Sequence, residues 1–135
     1  EVFANDLDYS EPSRMRQIQR IQSLAKVMDA QDFVVLVAAL YSHPDLLAWN
    51  RANFSSYFEV YLDASLDLVR GRDPKGLYAK ADAGLMEHVV GIDVPWHPPL
   101  NPDLTIKASN NETPETVARR VIAAVPHLAA VREFV

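Results

Sequence analysis

The sequence predicts an α/β fold in which helices flank a mainly parallel sheet. Helical and strand-like patterns alternate along the 135 residues, as in proteins built from parallel strands joined through helices. Residues 33–40, FVVLVAAL, form a continuous apolar run with three valines. Such a run is typical of a strand buried on both faces of a parallel sheet. The length suffices for a hydrophobic core, and we expect residues 1–135 to form a single domain.

The first predicted helix covers residues 10–30. Ser10 or Ser13 would cap it. Its apolar residues recur every three or four positions, which predicts one buried stripe, namely Met15, Ile18, Ile21, Leu24 and Met28. A buried strand is predicted next, over residues 33–40, and a short helix follows over residues 44–54, beginning at a proline.

The middle of the chain carries a second predicted strand and two short helices. The strand, residues 58–64, is rich in β-branched and aromatic residues. One helix is predicted over residues 65–71, closed by Gly71, and another over residues 75–84, ending at Gly84. An ordered loop is expected over residues 91–102 because prolines interrupt any helix there: Pro95, Pro98, Pro99 and Pro102.

The last part of the chain predicts a third strand and a final helix. The strand covers residues 104–108. Thr113 is a helix cap, Pro114 suits the first helical position, and Glu115 places an acid in the first turn. Apolar residues continue this helix, with a kink or end near Pro126: Val117, Val121 and Val125. Three strands make a thin sheet for this fold, and no strand pattern precedes the first helix.

Composition excludes several classes of protein. The chain has no cysteine, which excludes disulfide scaffolds and thiolate chemistry and is compatible with a reducing compartment. The formal net charge of −5 argues against nonspecific nucleic-acid binding, and no apolar run approaches the roughly 20 residues of a membrane span. Residues 1–10 lack the features of a signal peptide. Zinc ligation is not expected, because the histidines lack ligand spacing: His43, His88, His97 and His127.

Residues 72–78, RDPKGLY, combine a stiff proline and a free glycine with two cations. This is loop chemistry that turns sharply and can move. The cations could receive an anion or lie in water. From these seven residues alone the second interpretation is favoured, with Arg72 paired to Asp73 or Asp67 on the surface.

The same segment belongs to a longer pattern. A strand ending in Leu62-Asp63 is followed by RDPKGLY, then by VGID at residues 90–93, Pro95-Trp96, and NPDL at residues 101–104. Order and spacing resemble those of the adenylylsulfate kinase family. Residues 5–21, NDLDYSEPSRMRQIQRI, are similar to the family's segment around its first substrate-binding helix, so the resemblance covers nearly the whole chain.

The resemblance implies an activity. Members of this family transfer the γ-phosphate of ATP to the 3′-hydroxyl of adenylyl sulfate in sulfate assimilation. It implies a P-loop kinase-like fold, with ATP and Mg²⁺ as cofactors of the complete protein and small nucleotides as substrates. It further implies a cytoplasmic protein without nucleic-acid or membrane partners, and leaves a homodimer open.

The resemblance also implies a lid and a nucleotide side to the site. The lid would cover about residues 71–90, and its Lys75 would approach the phosphosulfate or the transferring phosphate as the catalytic candidate. Cations that arrive on closure suit phosphoryl transfer, which depends on positioning and charge neutralisation. Gly76 and Leu77 would contact the substrate beside Lys75. Two residues would bind ATP: Arg72 and Asn110.

On the acceptor side, Arg14 matches the family's substrate-anion arginine. A guanidinium fork suits phosphate, although a solvated helix charge is the alternative. Tyr9 replaces an aromatic residue that packs on the substrate base, and Gln17 replaces an asparagine. The remaining implied contacts are Tyr41, Ser42, Val89, Val90, Gly91, Ile92 and Asp93, the last of which could instead be a plain turn residue.

Three departures from the family pattern all concern the acceptor. Phe3 stands where the family usually has an arginine. Val89 replaces a base-clamping phenylalanine, and Val90 replaces a threonine. An arginine often found after the family's Ile-Ser-Pro is missing from residues 41–50. A related kinase of another nucleotide acceptor, such as cytidine diphosphoramidate, is therefore the alternative function.

The phosphate-binding motif of such kinases is also missing. The 135 residues contain no Gly-x-x-x-x-Gly-Lys-Ser/Thr and no Asp-Gly-Asp. We therefore expect this chain to be the C-terminal part of a kinase whose first strands and P-loop precede Glu1, with a noncatalytic nucleotide-binding regulatory domain as the alternative. The chain alone is expected to be inactive, because P-loop amides and lysine hold the β- and γ-phosphates.

Overall fold

The computed structural model describes residues 6–109 and 111–129. Within them lie two strands, β1 (Val60–Asp63) and β2 (Leu104–Lys107). The helices are α1 (Glu11–Asp29), α2 (Pro44–Asn53), α3 (Leu66–Arg72), α4 (Leu77–Asp82), α5 (Pro114–Ala124) and α6 (Pro126–Ala129). In this part of the chain, none of the helices has the length and apolar character needed to cross a membrane.

The chain divides into two compact units. The first unit contains residues 6–57 and 73–100, and with them α1, α2 and α4. The second unit contains residues 58–72, 101–109 and 111–129, and with them both strands, α3, α5 and α6.

The second unit is built on the parallel pair of β1 and β2. Their register runs from Val60 opposite Leu104 to Asp63 opposite Lys107. Ile106, on β2, is 1% exposed, and α5 contacts the same strand. The predicted strands 58–64 and 104–108 are thereby confirmed in slightly shorter form, as is the α/β architecture with a parallel sheet.

Hydrogen bonds just before the strands hold this register. The amide of Glu59 donates to Asp103 Oδ2 over 2.7 Å. In return, the carbonyl of Glu59 accepts from the amides of Asp103 and Leu104 at 2.9 and 3.1 Å. The aspartate side chain thus bonds one strand entry to the other, and the pairing starts at a defined residue.

The capping chemistry predicted for the last long helix is confirmed. The Thr113 side chain accepts from the amide of Thr116 over 3.3 Å, and Pro114 occupies the first position of α5. The helix ends at Ala124, Val125 caps it in an extended conformation, and α6 begins at Pro126, because a proline cannot continue the hydrogen-bond ladder.

The first unit has a small apolar core, to which α1, α2 and the loop around residues 89–94 contribute. Its buried members are Tyr41, Leu46, Val90 and Val94, with Met15 and Ile18 packed against them. The core therefore fixes the start of α1 against that loop, the two parts of the chain that carry most of the implied acceptor contacts.

Helix α1 has the predicted bounds within one residue, but its buried face differs from the predicted stripe. Leu24 is 49% exposed, whereas Gln22 and Ala25 are buried. The reason is that α2 packs on the Gln22 side. Ser10 does precede the helix, yet its hydroxyl bonds Asp8 and makes no side-chain cap.

We expect Gln22→Leu to destabilise the chain by about 1–3 kcal/mol. The buried Gln22 amide donates to the carbonyl of Leu46 over 2.9 Å and to Asn50 Oδ1 over 2.7 Å, so leucine would leave the Asn50 oxygen without this donor. Urea unfolding of the 135-residue chain measures the change. The exposed Gln19→Leu on the same helix is the control, and equal midpoints for both variants would contradict the prediction.

The strand predicted over residues 33–40 is wrong. These residues have no regular secondary structure, and no strand among residues 6–109 and 111–129 pairs with them. Five of their side chains are more than half exposed: Phe33, Val34, Leu36, Val37 and Leu40. A strand requires backbone partners on a neighbouring strand, so the apolar composition alone does not form one here. With α1 the segment instead borders an open apolar groove of about 270 Å³.

The short elements of the middle region follow the prediction with one correction. Gly71 lies inside α3 and does not close it. Gly84, with φ of +69°, follows α4 as predicted. Helix α2 agrees with the prediction, and residues 91–102 contain no helix, which confirms the proline-rich loop.

Candidate functional site

Arg14 is the residue around which the candidate site is built. It lies in the first turn of α1, and its Nε donates to the carbonyl of Tyr9 over 2.9 Å. Its Nη2 donates to the carbonyl of His88 over 2.8 Å. The guanidinium carbon is also 5.8 Å from the centre of the Tyr9 ring, within the range of a cation–π contact. One side chain therefore joins the approach to α1 with a loop 74 residues away.

That loop, residues 88–94, is closed by Asp93. Its carboxylate accepts from the amides of His88 and Val89 at 2.5 and 2.6 Å. These bonds, led by the one from His88, hold the pKa of Asp93 below its usual value. Gly91 has a φ of +88°, and its amide donates to the carbonyl of Val94 over 2.9 Å. Glycine suits this position because a side chain is strained at positive φ.

His88 is itself a backbone outlier, with φ of +64°. A left-handed conformation at a residue other than glycine costs about 1–2 kcal/mol. Its amide is held by Asp93 and its carbonyl by Arg14. The surrounding bonds thus impose a conformation that the residue would not adopt alone.

Asp8 shapes the segment before α1. Its Oδ1 accepts from the Ser10 amide over 2.9 Å and from the Ser10 hydroxyl over 2.5 Å. The Ser10 hydroxyl above all, with help from Ser13, lowers the pKa of Asp8 to about 2. The turn presents Tyr9, whose side chain is 74% exposed.

We expect the stability of the chain to fall as the pH drops from about 4 towards 2. The folded pKa of Asp8 is about 2, against 3.8 for an unperturbed aspartate. Such a group contributes stability that is present above the unfolded pKa and is lost as pH falls through the folded pKa. Asp8→Asn should therefore flatten this part of the pH profile.

Urea unfolding midpoints at pH 5, 4 and 3 measure this effect. Asp67→Asn, at an exposed aspartate of α3, is the control and should leave the slope unchanged. An Asp8→Asn variant that loses stability with acid as steeply as the unmodified chain would contradict the assignment.

The RDPKGLY segment is an ordered turn leading into α4. Asp73 Oδ1 accepts from the amide of Leu77 over 2.7 Å, and its Oδ2 accepts from the amide of Ala79 over 3.1 Å. Gly76, at φ of +63°, precedes the helix. Lys75 is exposed. Asp73 therefore organises the turn through backbone amides and leaves Lys75 projecting from an ordered base.

Arg72 belongs to the second unit. Its Nη2 donates to the carbonyl of Ser109 over 2.8 Å. The bond places its side chain beside the stretch that follows β2. Asn110, the other residue implied in ATP binding, lies outside the described residues.

Three of the residues implied in acceptor binding are buried in the core or hydrogen-bonded to another part of the first unit. Tyr41 is 5% exposed, and its hydroxyl donates to Glu11 Oε1 over 2.8 Å. Burial first, and then this bond, raise the pKa of Tyr41 to about 12. Ser42 Oγ donates to the carbonyl of His97 over 2.6 Å, and Val90 is buried in the core. These residues support the loop and the start of α1 from beneath.

The structure therefore gathers Tyr9, Arg14, Val89 and Asp93 around one loop. Gln17 and Ile92 are exposed, and both are close to these residues in the sequence. Lys75, Gly76 and Leu77 lie elsewhere, on the turn before α4. Sequence reasoning missed His88 and Asp8. Asp8 could have been found, because Asp-x-Ser before a helix favours a side-chain turn, whereas nothing in the sequence signals the backbone of His88.

Comparison with known proteins gives the family. Residues 2–107 match the model of the adenylylsulphate kinase family. An adenylyl-sulfate kinase of Vibrio cholerae is 39% identical over 124 residues, covering 87% of this chain and 55% of the relative. One from Synechococcus is 36% identical over 111 residues, covering 82% of this chain and 63% of the relative.

A solved structure agrees. It is that of the Mycobacterium tuberculosis APS kinase CysC in complex with AMPPNP and APS. The match covers 88% of this chain and 70% of the CysC chain, with a TM-score of 0.78 and 34% sequence identity. The chain spans about 55–63% of the length of the two curated relatives above. With the family match over most of the chain, these similarities show that it belongs to the adenylylsulfate kinase family.

Proposed function

We propose that a protein carrying this chain transfers the γ-phosphate of ATP to the 3′-hydroxyl of adenylyl sulfate. The observation that carries the proposal is the Arg14 arrangement. A guanidinium lies beside an exposed aromatic ring and is bonded to the loop of residues 88–94. A single domain over residues 1–135, a lid over about residues 71–90 and a cytoplasmic location are parts of the same proposal.

Arg14 would both position the acceptor site and bind the acceptor's anion. A guanidinium has five N–H donors, and the two bonds to the carbonyls of Tyr9 and His88 use two of them. The others can reach a phosphate or sulfate oxygen. The ring of Tyr9 would stack on the base, with its carbonyl held by the same guanidinium.

Lys75 would act on the reacting phosphate when the lid closes. Phosphoryl transfer is catalysed mainly by positioning and by neutralising charge in the transition state. A cation on an ordered turn can arrive with closure and exclude water at the same time. The amides bonded to Asp73 keep that turn in shape.

ATP and Mg²⁺ belong to the proposal for the whole protein, but the residues present here do not fit them. No Gly-x-x-x-x-Gly-Lys-Ser/Thr occurs in the 135 residues. In the described part of the chain, no three His, Cys, Asp or Glu side chains cluster to hold a metal. No step of the proposed mechanism therefore passes through a metal or a triphosphate held by this chain.

Two measurements test the proposal. Calorimetry with the 135-residue chain should show binding of adenylyl sulfate and no turnover with ATP. Joined to the part of the Vibrio cholerae relative that it does not span, the chain should phosphorylate adenylyl sulfate. Turnover by the 135 residues alone would contradict the expectation that the rest of the protein must supply the ATP-binding segment. Binding without turnover in an otherwise active chimera would favour a noncatalytic domain.

A second candidate is a kinase of a different nucleotide acceptor. The observation in its favour is Val89, a half-buried aliphatic residue beside Arg14's loop contact, where the family resemblance implies a ring. Loss of one stacking partner is worth about 1–3 kcal/mol per base, or about 10- to 100-fold in affinity. Val89→Phe should strengthen adenylyl sulfate binding if that is the acceptor, and should impair activity if the pocket suits a smaller base.

A further inference from the structure

We propose that Glu11 and His97 form a proton-linked pair beside Arg14, and that His97 is a positioning residue through which the acceptor's anion and one proton bind together. This inference rests on the function proposed above. Neither member of the pair belongs to the implied site, and both lie in the first unit.

The carboxylate of Glu11 is held in place by a hydrogen bond. Its Oε1 accepts from the Tyr41 hydroxyl over 2.8 Å and lies 3.8 Å from Nε2 of His97. Burial first, and then this bond, raise the pKa of Tyr41 to about 12, so the hydroxyl remains a donor throughout the neutral pH range. One oxygen atom therefore faces both a lasting donor and a nitrogen that can gain a proton.

The backbone of His97 is fixed at the same place. Its carbonyl accepts from Ser42 Oγ over 2.6 Å, and Pro98 follows it, which favours extended backbone at the residue before the proline. The side chains of His97 and Glu11 are only 36% and 42% exposed. Their charges are therefore screened less by water and salt than those of two fully solvated side chains.

A second imidazole, that of His43, lies against the first. The two ring centres are 5.1 Å apart in an edge-to-face arrangement. Nδ1 of His43 accepts from the Asp45 amide over 3.3 Å, and a nitrogen that accepts carries no proton. The Asp45 carboxylate lies 3.7 Å from this nitrogen, but its side chain is 85% exposed and solvated. His43 is therefore neutral in this arrangement, and the proton goes to His97.

Arg14 brings the acceptor's anion close to this pair. Glu11 and Arg14 are three residues apart on α1, a spacing that makes side chains neighbours on the helix surface, with about 5–6 Å between Cβ atoms. Both also act on the Tyr41 hydroxyl, since Glu11 raises its pKa and Arg14 lowers it. An anion bound to Arg14 would thus meet the negative charge of Glu11, and a proton on His97 would offset that charge.

The anion and the proton should therefore favour each other's binding. Coupling between two ligands is reciprocal, so a proton on His97 strengthens anion binding and a bound anion draws a proton onto His97. Histidine is the side chain that ordinarily changes charge between about pH 5 and 8, whereas the phosphosulfate keeps its charge in this range. Affinity for adenylyl sulfate should consequently fall as the pH rises.

Calorimetric titration of the 135-residue chain with adenylyl sulfate, from pH 5.5 to pH 8, tests the proposal. The dissociation constant should rise about 3- to 5-fold over this range, the effect of a partly exposed ion pair. His97→Gln should bind with the weaker affinity at every pH, and His97→Lys with the stronger. Glu11→Gln should bind more tightly than the unmodified chain at pH 8, because the repelling charge is gone and the amide oxygen can still accept from Tyr41.

A second readout counts the proton directly. Titrations at pH 6.5 in buffers of different ionisation enthalpy should show proton uptake on binding by the unmodified chain and none by His97→Gln. Two other histidines supply controls that should keep the pH dependence. His88→Asn removes the imidazole of the residue whose carbonyl Arg14 bonds, with a residue that tolerates positive φ. His127→Gln removes an exposed imidazole from α6.

The outcomes separate this inference from the function beneath it. A pH dependence that persists in His97→Gln, or that is lost in His88→Asn, overturns the role of His97 and leaves the proposed function intact. A pH-independent affinity of the unmodified chain does the same. Absence of adenylyl sulfate binding at every pH rejects the proposed function and this inference with it.

Discussion

Lys75→Ala should lower kcat about 100-fold in a kinase-active protein that carries residues 1–135, with little change in ATP affinity. The turn before α4 is organised through Asp73 and presents Lys75 to solvent. A cation that meets the phosphate only in the closed complex stabilises the transition state more than the bound substrates. Removing one group that neutralises charge in a transition state costs about 10²–10³ in kcat.

The control for this experiment is Lys80→Ala, which removes an exposed lysine from α4. It should leave kcat within about twofold, because surface charges contribute little. Steady-state kinetics with both substrates, together with the dissociation constant for an ATP analogue, separates binding from chemistry. An unchanged kcat for Lys75→Ala would show that this lysine is an ordinary solvated surface charge with no role in the reaction.

Arg14→Ala should weaken adenylyl sulfate binding by about 100-fold. The substitution removes the donors that we propose for the anion and also the two bonds that tie Tyr9 and His88 together. A hydrogen bond to a charged group contributes about 1.5–3 kcal/mol, and the loosened loop adds to the loss. Arg14→Lys keeps the charge without the fork and should recover only part of the affinity.

Arg16→Ala is the matched control for this second variant, since it removes an exposed arginine two residues along the same helix. Calorimetry with adenylyl sulfate measures the affinity, and urea unfolding shows whether the fold survives. Wild-type affinity in Arg14→Ala, or an equal loss in Arg16→Ala, would place the acceptor's anion elsewhere on the protein.

Local signals in the sequence predicted most of the helices and both strands of the sheet. The three-to-four periodicity of residues 10–30 predicted a helix, and Thr113-Pro114-Glu115 predicted the start of another. Each signal lies within a single short segment, and the structure confirms both helices. The buried face of α1 was less predictable. Gln22 is buried because α2 supplies acceptors for its amide, and a pattern of apolar residues cannot reveal a buried amide.

The strand prediction for residues 33–40 failed for a related reason. Its apolar composition describes a preference for burial, whereas strand structure depends on a neighbouring backbone. The described chain provides no such neighbour. Composition therefore correctly indicated an apolar segment but could not indicate what pairs with it.

The candidate site was predictable only in part. The pattern of residues 72–104 indicated the family. The match of residues 2–107 to the family model and the similarity to the Vibrio cholerae relative confirm it. The bond from Arg14 to His88, by contrast, joins residues 74 positions apart. Neither that contact nor the backbone of His88 is encoded in a local pattern, because tertiary bonds impose both.

The pairing of β1 with β2 affects how fast the second unit can fold. Val60 lies opposite Leu104, and all of residues 61–103 must form a loop before this first pair of the ladder can meet. Closing a loop costs chain entropy that is recovered only after the partners meet, so sheets made of distant segments fold more slowly than helices made of adjacent ones. Helix α1 can therefore form early from its own residues, whereas the sheet must wait for a long-range encounter.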